Sequence, residues 1–129
     1  MKDNLSENVK NSADVELYDK WGEIIKGYGG GFTAVPNLLL KRQGVLGLKS
    51  SELNVLINLI RFWWDLEKLP FPSLEKMAVE MGMSERTIFR VFSSLEEKKF
   101  IKRIQIEGKP TKYDLAGLVE KLNDLKNAM

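Results

Sequence analysis

Catalysis and metal binding fall most often to histidine and cysteine, and this sequence contains neither. Disulfides, thiolate zinc sites, cysteine nucleophiles and the imidazole base of most hydrolases are therefore excluded. Asp65 and Glu67 could pair as carboxylates for acid–base or metal work. They stand near an expected helix end beside Lys68 and point different ways, which predicts a solvated surface. The run Gly27-Tyr28-Gly29-Gly30-Gly31 lacks the Lys-Ser/Thr that completes a phosphate-cradling loop, so it reads as a linker. Trp63-Trp64 could stack single-stranded bases, yet both fall on an inward helix stripe and are expected in the core. The reading is of a protein that is no enzyme and holds no cofactor or metal.

What remains is cationic. The 129 residues carry a net charge of only +2, but the charge is unevenly placed. Residues 1–31 hold four Lys against six Asp/Glu, whereas residues 84–113 hold eight basic side chains against four acidic ones. A local basic excess is the electrostatic footprint of a nucleic-acid surface. Within it, Arg86 and Arg90 stand one helical turn apart and project from one face. Thr87 and Ser93 flank them and can donate to phosphate or base edges. Ser84 opens the helix, where free N–H groups favour a phosphate. Arg103, Lys109 and Lys112 follow in an expected hairpin. Phe89 falls off the apolar stripe of Ile88, Val91, Phe92 and Leu95, and either packs toward the hairpin or meets a thymine methyl.

The elements that must position these residues are readable from periodicity. The length suits one domain with extensions. No apolar run approaches the ~18 residues of a membrane span, and the N-terminus lacks the apolar core of a signal peptide. Residues 1–13 are polar and expected to be disordered. A helix is expected from Asp14 through Leu17, Tyr18, Trp21, Ile24 and Ile25. Phe32–Val35 is rich in strand formers, and Pro36 opens a helix Asn37–Arg42. Ser50 or Ser51 caps a long helix to about Leu66 or Lys68. That helix has one stripe of Leu53, Leu56, Ile57, Ile60, Trp63 and Trp64, and a second of Val55, Leu59, Phe62, Leu66 and Leu69. Two apolar sides need two covers, the second being the helix around Trp21 or a second copy of the chain.

Pro70-Phe71-Pro72 breaks the chain, after which Ser73 caps a helix through Met81 and Ser84 caps another to about Lys98. Gly82 and Met83 join them. Ala78, Met77, Met81, Ile88, Val91 and Leu95 are apolar where the pair must face, as in a helix-turn-helix. Phe100–Ile106 and Thr111–Leu115, joined by Glu107-Gly108-Lys109-Pro110, read as a basic hairpin following directly, the position of a wing. Two strands are marginal alone, and Phe32–Val35 is the candidate third. Leu115, Leu118, Leu122 and Leu125 then repeat as a short seam. The fold class is mainly α (α+β): a winged helix-turn-helix with a three-helix core, a short antiparallel hairpin, and extra N- and C-terminal helices. Its parts are a polar and helical extension with a Gly-rich linker (1–31), the winged helix-turn-helix (32–115) and a C-terminal helix (116–129).

The segment Gly31–Ile106 resembles the winged helix-turn-helix domains of plasmid and phage replication-initiation proteins. The likeness rests on Phe32-Thr33-Ala34-Val35-Pro36-Asn37-Leu38-Leu39, Ser51-Glu52-Leu53-Asn54-Val55-Leu56 and Pro72-Ser73-Leu74-Glu75-Lys76-Met77-Ala78. It continues in Met81-Gly82-Met83-Ser84-Glu85-Arg86-Thr87-Ile88 and Leu95-Glu96-Glu97-Lys98-Lys99-Phe100-Ile101. It departs at Lys99, where the family pattern often has Gly. The resemblance implies double-stranded DNA binding in replication initiation or its control, on a plasmid or phage, in the cytoplasm. The expected partners are duplex DNA, other replication proteins and a second copy in a homodimer, with no membrane. Transcription regulation through the same contacts and a winged-helix protein-interaction module are the alternatives.

Overall fold

The computed structural model describes residues 16–129, so the expected disorder of residues 1–13 and the helix start at Asp14 lie outside the described residues. The chain divides into two compact units, Met1–Phe32 and Thr33–Met129. In the first, residues 16–21 are helical (α1) and a 3-10 turn follows over Gly22–Ile25. The α-helix expected to reach Ile25 stops early because Gly22 takes φ 62°, a left-handed backbone that a helix cannot continue through.

The second unit runs α2 (Asn37–Lys41), α3 (Ser50–Arg61), α4 (Leu74–Met81), α5 (Glu85–Glu97), β1 (Lys102–Ile104), β2 (Lys112–Asp114) and α6 (Ala116–Ala128). The strands are antiparallel, pairing Lys102 with Asp114, Arg103 with Tyr113 and Ile104 with Lys112. Helix α5 packs against both α3 and α4. Val55, Leu56 and Leu59 of α3, Met77 of α4, and Ile88 and Leu95 of α5 are wholly buried between them. Phe92 and Tyr113 stack at 4.6 Å and tie the hairpin to α5. The result is a mainly helical, winged-helix-like fold.

Three expectations are corrected. Phe32–Val35 forms no strand, and among the described residues the sheet has two strands. The outer edge of β2 is served instead by Pro70, whose carbonyl accepts the Tyr113 N–H at 2.9 Å. Helix α3 begins one residue early, with Lys49 at its N-cap rather than Ser50 or Ser51. The Glu52 carboxylate takes the Lys49 N–H at 2.8 Å, filling the cap from inside the helix. The same helix ends at Arg61, where the Trp64 indole donates to the Arg61 carbonyl at 2.7 Å and seals the terminus. Consequently Trp64 and Leu66 are exposed in a turn, and only Trp63 packs against the core. Val55 and Leu59 of the second stripe are absorbed into the core of the Thr33–Met129 unit.

Most local signals hold. Ser73 caps α4 by accepting from Lys76 N–H at 3.0 Å, and Gly82 ends it at φ 64°. Of the leucine seam, Leu115 and Leu118 are core residues and Leu122 packs against the core, whereas Leu125 is outside that cluster.

Candidate nucleic-acid interface

The N-terminal turn of α5 is set by Ser84. Its hydroxyl accepts the Thr87 N–H at 3.1 Å and lies 2.8 Å from the Thr87 hydroxyl. Two of the expected contact residues are thus engaged with each other in an N-cap. Arg86 and Arg90 are exposed and in no ion pair among the described residues, so neither Glu85 nor Glu97 neutralises them. Lys109 is exposed in the hairpin turn, where its N–H returns to the Ile106 carbonyl at 3.0 Å and Gly108 supplies φ 78°. Lys112 is exposed on β2.

Arg103 and Ser93 are placed differently. The Arg103 guanidinium donates to Glu96 Oε1 through Nε (3.1 Å) and an amino group (2.8 Å), while its backbone N–H donates to Glu96 Oε2 at 2.9 Å. The same amino group reaches Ser93 Oγ at 3.2 Å, and Ser93 in turn donates to the Phe89 carbonyl at 3.1 Å. Arg103 therefore latches the hairpin to α5 and leaves little charge for a ligand. Its Cζ lies 5.0 Å from the ring centroid of the half-exposed Phe89, a cation–π contact. The Arg103 backbone N–H, followed by the guanidinium, holds the Glu96 carboxyl below its usual range.

The sequence reading missed Glu96, because nothing local distinguishes a helix-end carboxylate that bonds a strand seven residues on. It also missed a groove of about 340 Å³ between the wing, α5 and the segment before α4, lined by Phe71, Phe89, Arg103 and Tyr113 among others. Lys102, exposed on β1, is a further basic side chain on the hairpin. The turn at Lys99, where the family pattern often has glycine, keeps a glycine-like geometry. Among the described residues, Lys99 is the one non-glycine residue with positive φ, at 69°.

Residues 35–128 match the DnaD N-terminal domain. The crystal structure of the N-terminal domain of DnaD protein from Geobacillus kaustophilus HTA426 is similar at 28% identity, over 90% of each chain, with a TM-score of 0.58. No curated protein matches the sequence. The matches name DnaD rather than the plasmid and phage initiators to which the sequence bears likeness, and both are replication-related. With a match over most of its length and a hairpin and helices to accord with it, the chain belongs to the DnaD N-terminal domain family.

Proposed function

We propose that this domain binds double-stranded DNA during replication initiation or its control, with α5 entering the major groove and the hairpin resting on the neighbouring backbone. The observation that carries the reading is the pair Arg86 and Arg90, exposed without ion-pair partners among the described residues on one face of α5. An unpaired arginine can donate two parallel hydrogen bonds to a guanine edge. Lys109 and Lys112 add cations on the wing, where they suit phosphate. Ser84 and Thr87 contribute chiefly by fixing the helix start, and Arg103 and Ser93 by fixing the wing. The resemblance to plasmid and phage initiators favours a replicating element of that kind, with cytoplasmic DNA and other replication proteins as surroundings and a second copy as a partner. Binding, not catalysis, is the task.

Fluorescence anisotropy with a random duplex at low salt tests this. The parent should bind, and Arg86→Ala with Arg90→Ala should cost roughly 1–3 kcal/mol per base-reading contact and relax specificity there. Lys109→Ala or Lys112→Ala should weaken all sequences alike and lower the salt slope by about one unit per contact. A folded double arginine variant that binds like the parent would overturn the assignment. A second reading has one observation in its favour: Phe71 and Phe89 stay more than half and about half exposed, at 58% and 50%, beside an apolar groove. Absence of duplex binding below about 50 mM salt, where phosphate attraction is strongest, would favour that protein-docking module.

A further inference from the structure

A second groove, of about 420 Å³, shares no residue with the basic surface. Trp63, Leu66 and Leu69 from the turn after α3 form one wall. The other comes from the end of β2 and from α6, through Asp114, Ala116, Val119, Glu120 and Asp124. Leu66 and Val119 are 82% and 40% exposed, so apolar surface is open to water here. The Trp63 Nε1–H is buried and has no hydrogen-bond partner, which leaves a desolvated donor beside the groove. Asp114, Glu120 and Asp124 are in no ion pair among the described residues, and no basic side chain lines the groove.

We propose that this groove docks a basic amphipathic helix of another protein. Ala116, Val119, Glu120 and Asp124 recur along α6 at spacings of three, one and four, so they form one helical face about 12 Å long. A second helix laid along such a face buries an apolar stripe, as paired helices do. Lysines or arginines flanking that stripe would meet the three carboxylates. Nucleic acid does not fit, because the carboxylates repel phosphate. A second copy fits poorly, because a two-fold interface brings each patch against itself and sets Glu120 and Asp124 against their own kind.

The probe is a labelled 18-residue helical peptide with a leucine stripe flanked by lysines, titrated onto the full chain. Controls replace its lysines with glutamates, or its leucines with serines. The basic amphipathic peptide is expected to bind at least ~10-fold more tightly than either control. Glu120→Lys with Asp124→Lys should weaken it by a further ~10-fold while leaving duplex binding within about twofold of the parent. Val119→Asp, which adds a carboxylate to the rim but spoils the apolar floor, should weaken the peptide as well. Equal binding of the acidic peptide, or an unchanged affinity in the folded charge-reversed variant, overturns the proposal. So does a shift in sedimentation showing that the charge reversal changes self-association, since the face would then belong to a second copy.

Discussion

A carboxylate is costly to bury unless its lone pairs are filled, and Glu52, 2% exposed, fills them from three directions. Burial pushes its carboxyl up, but hydrogen bonds from Lys98, Ser94 and the Lys49 N–H together outweigh that and hold it below its usual range. Lys98 is 2.7 Å away and also donates to the Gly47 carbonyl at 2.9 Å, so one ammonium joins α3, α5 and the preceding turn. A lowered folded-state pKa gives stability that is complete above the ordinary value of 4.5 and is lost as pH falls through it toward the folded value. Glu96 acts in the same sense. Urea unfolding should therefore show a loss of stability on acidification below about pH 4.5, and Glu52→Gln should both lower stability at neutral pH by about 1–3 kcal/mol and flatten that acid limb. Lys99 allows a test of opposite sign. A left-handed backbone costs a non-glycine residue about 1–2 kcal/mol, partly offset by the roughly 0.5–1 kcal/mol that glycine loses in chain entropy. Lys99→Gly should then raise stability by up to about 1 kcal/mol in the same assay.

Two glycines separate conformation from space at the level of elements. Gly82 at φ 64° has open surroundings, so Gly82→Ala should lose only the left-handed penalty, about 1–2 kcal/mol. Gly117 lies inside α6, where alanine normally stabilises by up to about 1 kcal/mol. A Cβ there would stand 2.1 Å from the Lys99 carbonyl oxygen, so Gly117→Ala should melt below the parent despite better helix propensity. The helices α4 and α5 were legible because their caps are local: Ser73, Gly82 and Ser84 act within four residues of themselves. The true end of α3 was not, since its apolar periodicity runs on past Arg61, where the Phe62 and Trp63 N–H groups turn back to the Leu59 and Ile60 carbonyls and the Trp64 indole takes the Arg61 carbonyl. The absent strand at Phe32–Val35 has a similar cause. Strand composition states a preference, while the partner is decided by which backbone reaches the open edge, here Pro70.

For the molecule as a whole, every buried residue of the apolar core cluster lies between Leu39 and Leu118, inside the unit Thr33–Met129. Residues 33–129 alone are expected to unfold in a single cooperative transition by circular dichroism, and a broad, non-cooperative melt would contradict this. The candidate site was legible as a charge pattern but not as a division of labour. Sequence spacing finds Arg86 and Arg90 because one helix carries both, whereas Arg103 is withdrawn from the surface by Glu96 on another element. Arginines of equal promise in the sequence thus end as one exposed pair and one latch.

The junction of the wing with the core has a mechanical consequence. The Leu118 N–H donates to the Phe100 carbonyl at 3.0 Å, one residue past the Lys99 turn and against Gly117. The outgoing strand β1 and the helix that follows β2 are therefore riveted to each other at the hairpin's root. A load applied at Gly108 cannot swing the two legs apart without breaking that rivet, so the wing behaves as a stiff cantilever whose compliance is confined to its tip. Amide hydrogen exchange should map this gradient directly, with Leu118 and Tyr113 among the slow positions and Glu107 and Gly108 exchanging fast.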